Sequence, residues 1–445
     1  MLTLFLSFSC VCHSFAARHY VLISSQAEAN ERLKSIQPDS YIEFRTPVSY
    51  IGGNLNIPEG CVLKFAGGMI KANQITGNGT VIDAPLTQII NTKAMKGTWL
   101  VDRAYPEWFG GKSKLSEEET QSDVSDAIDL ALCLSPSELC FSKGVYHISR
   151  PIVSVHSNIH ISGGAEICAL NEMRYDIKLN DKVYQANGMI IGDFATNEEK
   201  EIFGLSTNKM IYGGGCINAN YKASTGIVLN RCLRTVIKDI TVKNVNKYGF
   251  QASVDGKAAG NCFMLNCVFK NEDNWHDNKS TTHHQNAIAI YNNKSDCDYT
   301  NIEIVNFQTA VLHEAYNGIF TNVHAWLRDD YYWPNSVTFD CLYPDITLTN
   351  CEADTMRRLV KCHTNNFHAA IVNCRSYNNT AVVNDKTATK YPPIIIDKDG
   401  IKNTQINVTG GYYWFNTPYQ LCTSKSEQDN IQGYIANKAK IIPLK

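Results

Sequence analysis

The chain has 445 residues, 44% of them hydrophobic, which is ample for a large core and too long for one ordinary domain of about 100–200 residues. Its 41 basic and 43 acidic residues leave a net charge of -2, so no global basic field points to nucleic acid. No low-complexity tract or long charge run is present, which argues against a largely disordered chain.

Residues 1–17 read as a secretory signal. Leu2 to Phe8 is apolar, small residues follow, and Ser14-Phe15-Ala16 offers a cleavage site, although the usual positive start is missing. A secreted, periplasmic or cell-surface location is the expectation. Lipidation at Cys10 is the alternative, and Ser7-Phe8-Ser9 fits it poorly. No later segment reaches the 18 or more apolar residues of a membrane span. Of the 16 cysteines, two fall inside the signal. The others form no metal-type Cys-x-x-Cys pair, and most are expected as buried thiols packing as small hydrophobes.

Residues 18–100 are strand-rich. Leu55 to Phe65 runs into Gly67-Gly68, and Gly77-Asn78-Gly79-Thr80-Val81-Ile82 has the same flavour, so β coils or a small β cap are expected. Pro106-Glu107-Trp108-Phe109-Gly110 follows. Val124, Ala127, Ile128 and Ala131 then recur at helical spacing, predicting one short helix within Ser122–Leu132. A strand Tyr146-His147-Ile148 comes next.

From about residue 240 a motif repeats: apolar, any residue, Asn, small apolar. It reads Val242-Lys243-Asn244-Val245, Met264-Leu265-Asn266-Cys267, Ile304-Val305-Asn306-Phe307, Phe320-Thr321-Asn322-Val323, Leu348-Thr349-Asn350-Cys351 and Ile371-Val372-Asn373-Cys374. Ile406-Asn407-Val408 is a further copy, out of register by one. Alternating apolar residues make half-buried strands, and Asn accepts the left-handed backbone of a tight turn. Several spacings lie near one coil of a solenoid. Stacked coils put the asparagines in a ladder and the cysteines in an interior column. A sandwich would show more short hairpin turns, and a propeller blade is longer. The predicted fold class is therefore all-β, a single-stranded parallel β-helix with a short helix near its entry. It spans 101–415, and 416–445 is read as a C-terminal cap.

The Pro-Glu-Trp-Phe-Gly segment, the short helix and Phe141-Ser142-Lys143-Gly144-Val145-Tyr146-His147-Ile148 resemble the entry module of the pectate-lyase-like superfamily. That group holds right-handed β-helix hydrolases of the polygalacturonase kind, polysaccharide lyases and tailspikes. With the repeats, the resemblance covers about residues 50–410. The usual Gly-Asp-Gly-x-x-Asp-Asp-Thr stretch is replaced by Lys112 to Gln121. The Asn-Thr-Asp, Gly-His-Gly and Arg-Ile-Lys motifs of polygalacturonase-like enzymes are absent, and only Asp329-Asp330 matches their acidic pair. The Trp-Ile-Asp-His signature of calcium pectate lyases is absent too. The resemblance implies a fold and a polysaccharide substrate, and carries over no catalytic residue.

Aligning the repeats on Asn places His324, Glu352 and Arg375 in one outward column, with Trp326, Asp354 and Tyr377 beside it. An imidazole, two carboxyls, a guanidinium and two aromatics would then share one face. Arg binds a uronate carboxylate in two-pronged fashion. Glu352 and Asp354, or either with Asp330, supply the two carboxyls of a glycosidase. His324 or Tyr377 as base, with Arg375 as neutraliser, would suit a lyase. Arg328 and Trp333 border the face as further sugar contacts. Solvated surface and a Glu352–Arg375 cross-strand ion pair are the plainer account of the same residues. His276, His283 and His284 lack metal-ligand spacing. Asn293, Asp296 and Asp298 would suit Ca²⁺ but read first as a polar turn, and His313-Glu314 also reads as a turn. No cofactor is implied. The expected function is a secreted polysaccharide-cleaving enzyme, hydrolase or lyase, with a non-catalytic glycan-binding or structural β-helix as the alternative. The oligomeric state is open.

Overall fold

The period-two pattern around the asparagines folds as stacked parallel rungs. The computed structural model describes residues 19–116, 118–154, 156–179, 182–193, 209–230, 232–254, 260–271, 286–327, 334–378, 392–415, 419–424 and 429–433. The expected signal, Cys10, His276, His283 and His284 lie outside these residues. Two units are distinguished: Met1–Val101 with Trp108–Gly110, and Asp102–Glu107 with Gly111–Lys445.

The first unit is a small solenoid of parallel strands. Tyr41–Phe44 pairs with Val62–Phe65, which pairs with Gln74–Asp83. Alternate residues point inward, and Phe44 stacks on Phe65 with centroids 5.1 Å apart. A helix, Gln26–Arg32, stands where only strands are expected. Ser25 caps it by accepting from the Glu28 amide, and Glu28 accepts from the Ser24 amide at 2.7 Å.

The second unit carries a twenty-stranded and a ten-stranded sheet, and the pairings within both are parallel. Each coil crosses the long sheet twice and the ten-stranded sheet once. An antiparallel pair, Asp176–Leu179 with Lys182–Gln185, is an excursion from this pattern. The predicted helix is present as Ser125–Leu132, and its spaced residues Val124, Ala127, Ile128 and Ala131 are buried. Inside the coils, Tyr299 stacks on Phe320 at 4.8 Å and Phe320 meets Phe339 edge-on at 5.2 Å. This is an all-β right-handed single-stranded parallel β-helix.

The asparagines do bend the chain: Asn244, Asn266, Asn306, Asn322, Asn350 and Asn373 all have positive φ. They belong to two different turns, however, and the single predicted ladder is corrected accordingly. The first ladder runs Asp239, Asn266, Asn301, Asn322, Asn350, Asn373, Gly410 and divides the two crossings of the long sheet. Its side chains join at Asn266–Asp239 3.1 Å, Asn301–Asn266 3.0 Å, Asn322–Asn301 2.9 Å and Asn373–Asn350 2.7 Å. Asn244 and Asn306 lie at the next corner, where Asn306 donates to the Asn271 carbonyl at 3.2 Å. Both corners select Asn for the same reason, so the motif alone does not separate them.

Twelve of the 14 described cysteines are buried, and none is in a disulfide. Cys267, Cys351 and Cys374 fill the interior position just after the first ladder. The tail also departs from a pure cap: Gln420–Cys422 and Asn430–Gly433 add pairing strands to the two sheets. His313-Glu314 is no turn, since it ends the strand Thr309–Glu314. His313 is fully buried and its ring meets Asn292 at 3.2 Å and the Asp345 carbonyl at 3.1 Å. Burial lowers its pKa to about 4, so it stays neutral.

Asn301 both donates and accepts within the first ladder, at a φ of 55°. Asn301→Ala should lower unfolding free energy by about 1.5–3 kcal/mol, from the left-handed backbone and the lost bonds. Asn301→Gly should lose less, because glycine keeps the backbone free. Urea unfolding of both variants checks this, and equal losses would refute the backbone's share and leave the whole loss to the ladder bonds.

Candidate functional site

The outward column forms as the alternation requires. His324 pairs in register with Glu352, and Glu352 with Arg375. Beside them, Trp326 pairs with Asp354 and Asp354 with Tyr377. Val323, Ala325, Cys351, Ala353, Cys374 and Ser376 are turned inward and buried, which fixes the other residues on the outer face. Asp330, Arg328 and Trp333 lie outside the described residues.

Glu352 is the hub of this face. It accepts the Tyr377 hydroxyl at 2.7 Å, and its Oε1 lies 3.6 Å from His324 Nε2. That Nε2 is itself screened from water and has no hydrogen-bond partner. Burial pushes the Asp354 carboxyl above the usual aspartate range, and the Glu352 charge adds to the rise. The Thr355 hydroxyl, which donates at 2.9 Å, and the neighbouring Tyr377 hydroxyl oppose it without cancelling it. Burial and the bond to Glu352 push the Tyr377 phenol well up. The face therefore holds one carboxyl biased toward its protonated form, two residues from another that accepts a phenol.

Arg375 is exposed, and no ion pair joins it to Glu352 among the described residues. The cross-strand pair considered from the sequence does not form; the Tyr377 hydroxyl is bonded to that carboxylate instead. Among the described residues no ion pair engages the guanidinium.

Two residues of the face are not visible in the Asn alignment. Glu303 pairs with His324 and accepts the Trp326 indole N–H at 3.2 Å. Tyr412 pairs with Arg375 and is 49% exposed. The signals were Asn301 and Gly410, which hold the ladder places before them. A hollow of about 500 Å³ opens beside His324, bordered by Val268, Glu303 and the ladder residues Asn266, Asn301 and Asn322.

Asp296 and Asp298 are not in a turn. They start the strand Asp296–Val305 and line a different hollow, while Asn293 turns its amide to the Ser253 carbonyl at 3.2 Å. Among the described residues, Glu138, Cys140 and His160 are three potential ligands whose atoms lie within 4.8 Å of one another. Glu138 is already engaged by Arg103 at 3.1 Å, by the Cys140 thiol at 3.3 Å and by the Tyr212 hydroxyl. Burial and then Glu138 push the Cys140 thiol up to about 12. A metal would have to displace both that proton and Arg103, so the trio reads as a self-satisfied hydrogen-bond network.

No family model and no curated protein matches the chain. Solved structures do. The tailspike of Acinetobacter phage vb_AbaP_AS12 aligns with TM-score 0.50 and 11% identity, covering 77% of this chain and 65% of that one. The chain thus spans about two thirds of the tailspike's length. The endo-xylogalacturonan hydrolase of Aspergillus tubingensis aligns with TM-score 0.44 and 10% identity, over 75% of this chain and 91% of that one. The Family 28 exopolygalacturonase of Yersinia enterocolitica gives 0.39 and 10%, over 78% and 79%. At such identities the likeness shows the fold alone, a parallel β-helix. No helix among the described residues is long and apolar enough to cross a membrane.

Proposed function

We propose that this chain is an exported polysaccharide hydrolase, with Asp354 as general acid and Glu352 as general base. The observation that carries the reading is the placement of two half-buried carboxyls, Glu352 and Asp354, at alternate outward positions of one strand beside the Tyr377 hydroxyl, with burial raising the second. Pairs of carboxyls held in different environments divide the acid and base roles. Asp354 delivers its proton to the leaving glycosidic oxygen. Glu352 takes a proton from the water that attacks the anomeric carbon. Direct attack by that water inverts the anomeric centre. Trp326, with its indole N–H tethered to Glu303, offers a sugar-stacking edge, and Arg375 and Tyr412 extend the face.

The lyase reading is weaker. Its candidate base Tyr377 is pushed away from deprotonation and already donates to Glu352. The other candidate, His324, has its Nε2 screened from water beside Glu352.

Incubation with a broad glycan panel tests the proposal, reading new reducing ends, ultraviolet absorbance of unsaturated uronates and the first-formed anomer by NMR. Reducing ends of inverted configuration without the absorbance are expected. The absorbance would make it a lyase. Silence from folded protein would make it a binder.

A further inference from the structure

The long sheet has a second outer face, on the other side of the asparagine ladder. Two hollows lie there, of about 430 and 380 Å³. Both are lined by Asp345, Ile346 and Thr347, so they form one continuous groove. We propose that this groove, lined by Asp296, Asp298, Asp345, His368, Gln405 and Asn430, binds an uncharged, hydroxyl-rich glycan laid across successive rungs. The inference rests on the polysaccharide reading above and extends it to a second site and a substrate class.

The groove runs along the direction in which rungs stack. From Asp296–Val305 to Asn430–Gly433 the chain takes five steps, by way of the strands at Ile319, Asp345, His368 and Gln405. At about 4.8 Å per step that is about 24 Å. The step is close to the length of one sugar along an extended glycan, so each rung meets one residue of the polymer. The outer positions offer carboxylates and carboxamides, flat groups that donate to or accept from neighbouring hydroxyls. Ile319, 49% exposed, and the half-buried Ala370 give apolar ground for sugar C–H faces.

Charge sets the class of glycan. Three aspartates line the groove, and among the described residues lining it there is no lysine or arginine. The His368 ring is already held by Asp345 at 2.9 Å. Burial and then the Asp296 charge lift the Asp298 carboxyl, which marks a site short of counter-charge. A polyuronate would bring like charge against these carboxylates, without the cations it needs. The groove therefore selects neutral sugars, whereas the Glu352 face with Arg375 makes no such demand.

Titration calorimetry on the full chain carrying Glu352→Gln tests this, with neutral β-glucan, mannan and xylan hexamers against oligogalacturonate. At least one neutral hexamer should bind at least tenfold more tightly than oligogalacturonate. Thr347→Trp fills the groove from an exposed position and should weaken that binding at least tenfold. Gln405→Ala should weaken it less, and Lys361→Ala on the ten-stranded sheet should leave it unchanged. Tighter binding of oligogalacturonate, equal binding by the Thr347→Trp protein, or no binding of any hexamer would each overturn the inference. Turnover by the otherwise native enzyme is scored separately, so a failed groove leaves the Glu352 reading standing.

Discussion

Glu352→Gln should lower turnover on the cleaved glycan by about 10²–10⁴-fold, the usual span for loss of a general base. The introduced amide oxygen still accepts the Tyr377 hydroxyl, so the rung should stay intact and Tm should barely move. Asp354→Asn should fall as far by a different route. The acid is gone but water can still be activated, so a substrate with a good leaving group should recover much of the lost rate. Such rescue is expected for Asp354→Asn and not for Glu352→Gln. If both variants respond alike, the two roles are wrongly divided. If neither loses more than a few-fold, this face is not where the chemistry occurs.

The pH dependence follows from the same residue. The Asp354 carboxyl in the folded protein titrates above its unfolded value, chiefly because burial disfavours the charge. A raised carboxyl binds more protons folded than unfolded in the window between the two values. Its contribution to stability is thus present at low pH and is lost as pH rises through the folded value. Activity that needs the protonated form falls over the same rise. Asp354→Asn should therefore flatten both the high-pH decline in stability and the upper limb of the pH–rate profile.

The face was legible in the sequence because its cause is local. Alternation fixes which residues point outward, and Asn322, Asn350 and Asn373 occupy equivalent turns, so His324, Glu352 and Arg375 had to stack. Where the same residue type serves two corners, the alignment loses its footing. Asn306 carries the motif but sits one corner late, and the choice of Asn306 over Asn301 hid Glu303. Gly410 took a ladder place with no side chain, and Tyr412 was hidden with it. The groove was less legible still. Asp296, Asp345 and His368 come from coils of different length, and nothing short-range marks them as neighbours. Only the rung pairings, such as Asp345 with His368, bring them together.

The buried pair Lys398–Asp429 should be the most damaging place to remove a single charge. Both side chains are fully buried, and the Lys398 ammonium donates to Asp429 Oδ2 at 2.7 Å and to the Ile401 carbonyl at 2.8 Å. The other carboxylate oxygen accepts from the Thr404 amide at 3.0 Å and its hydroxyl at 2.9 Å. Asp429→Ala leaves an ammonium without its counter-charge in a dry interior and should lower stability by about 3–5 kcal/mol. The double variant Lys398→Met/Asp429→Leu removes both charges together, and should recover most of that loss while still leaving the Thr404 groups unmet. Glu352 and Asp354 are carried by a rung other than these, and solenoid stability is a sum of neighbouring terms. Limited proteolysis of Asp429→Ala should therefore cut first near the C-terminal rungs while turnover persists. A single variant as stable as the native chain would mean that water reaches the pair. A double variant no better than the single would mean that shape, not charge, holds this end closed.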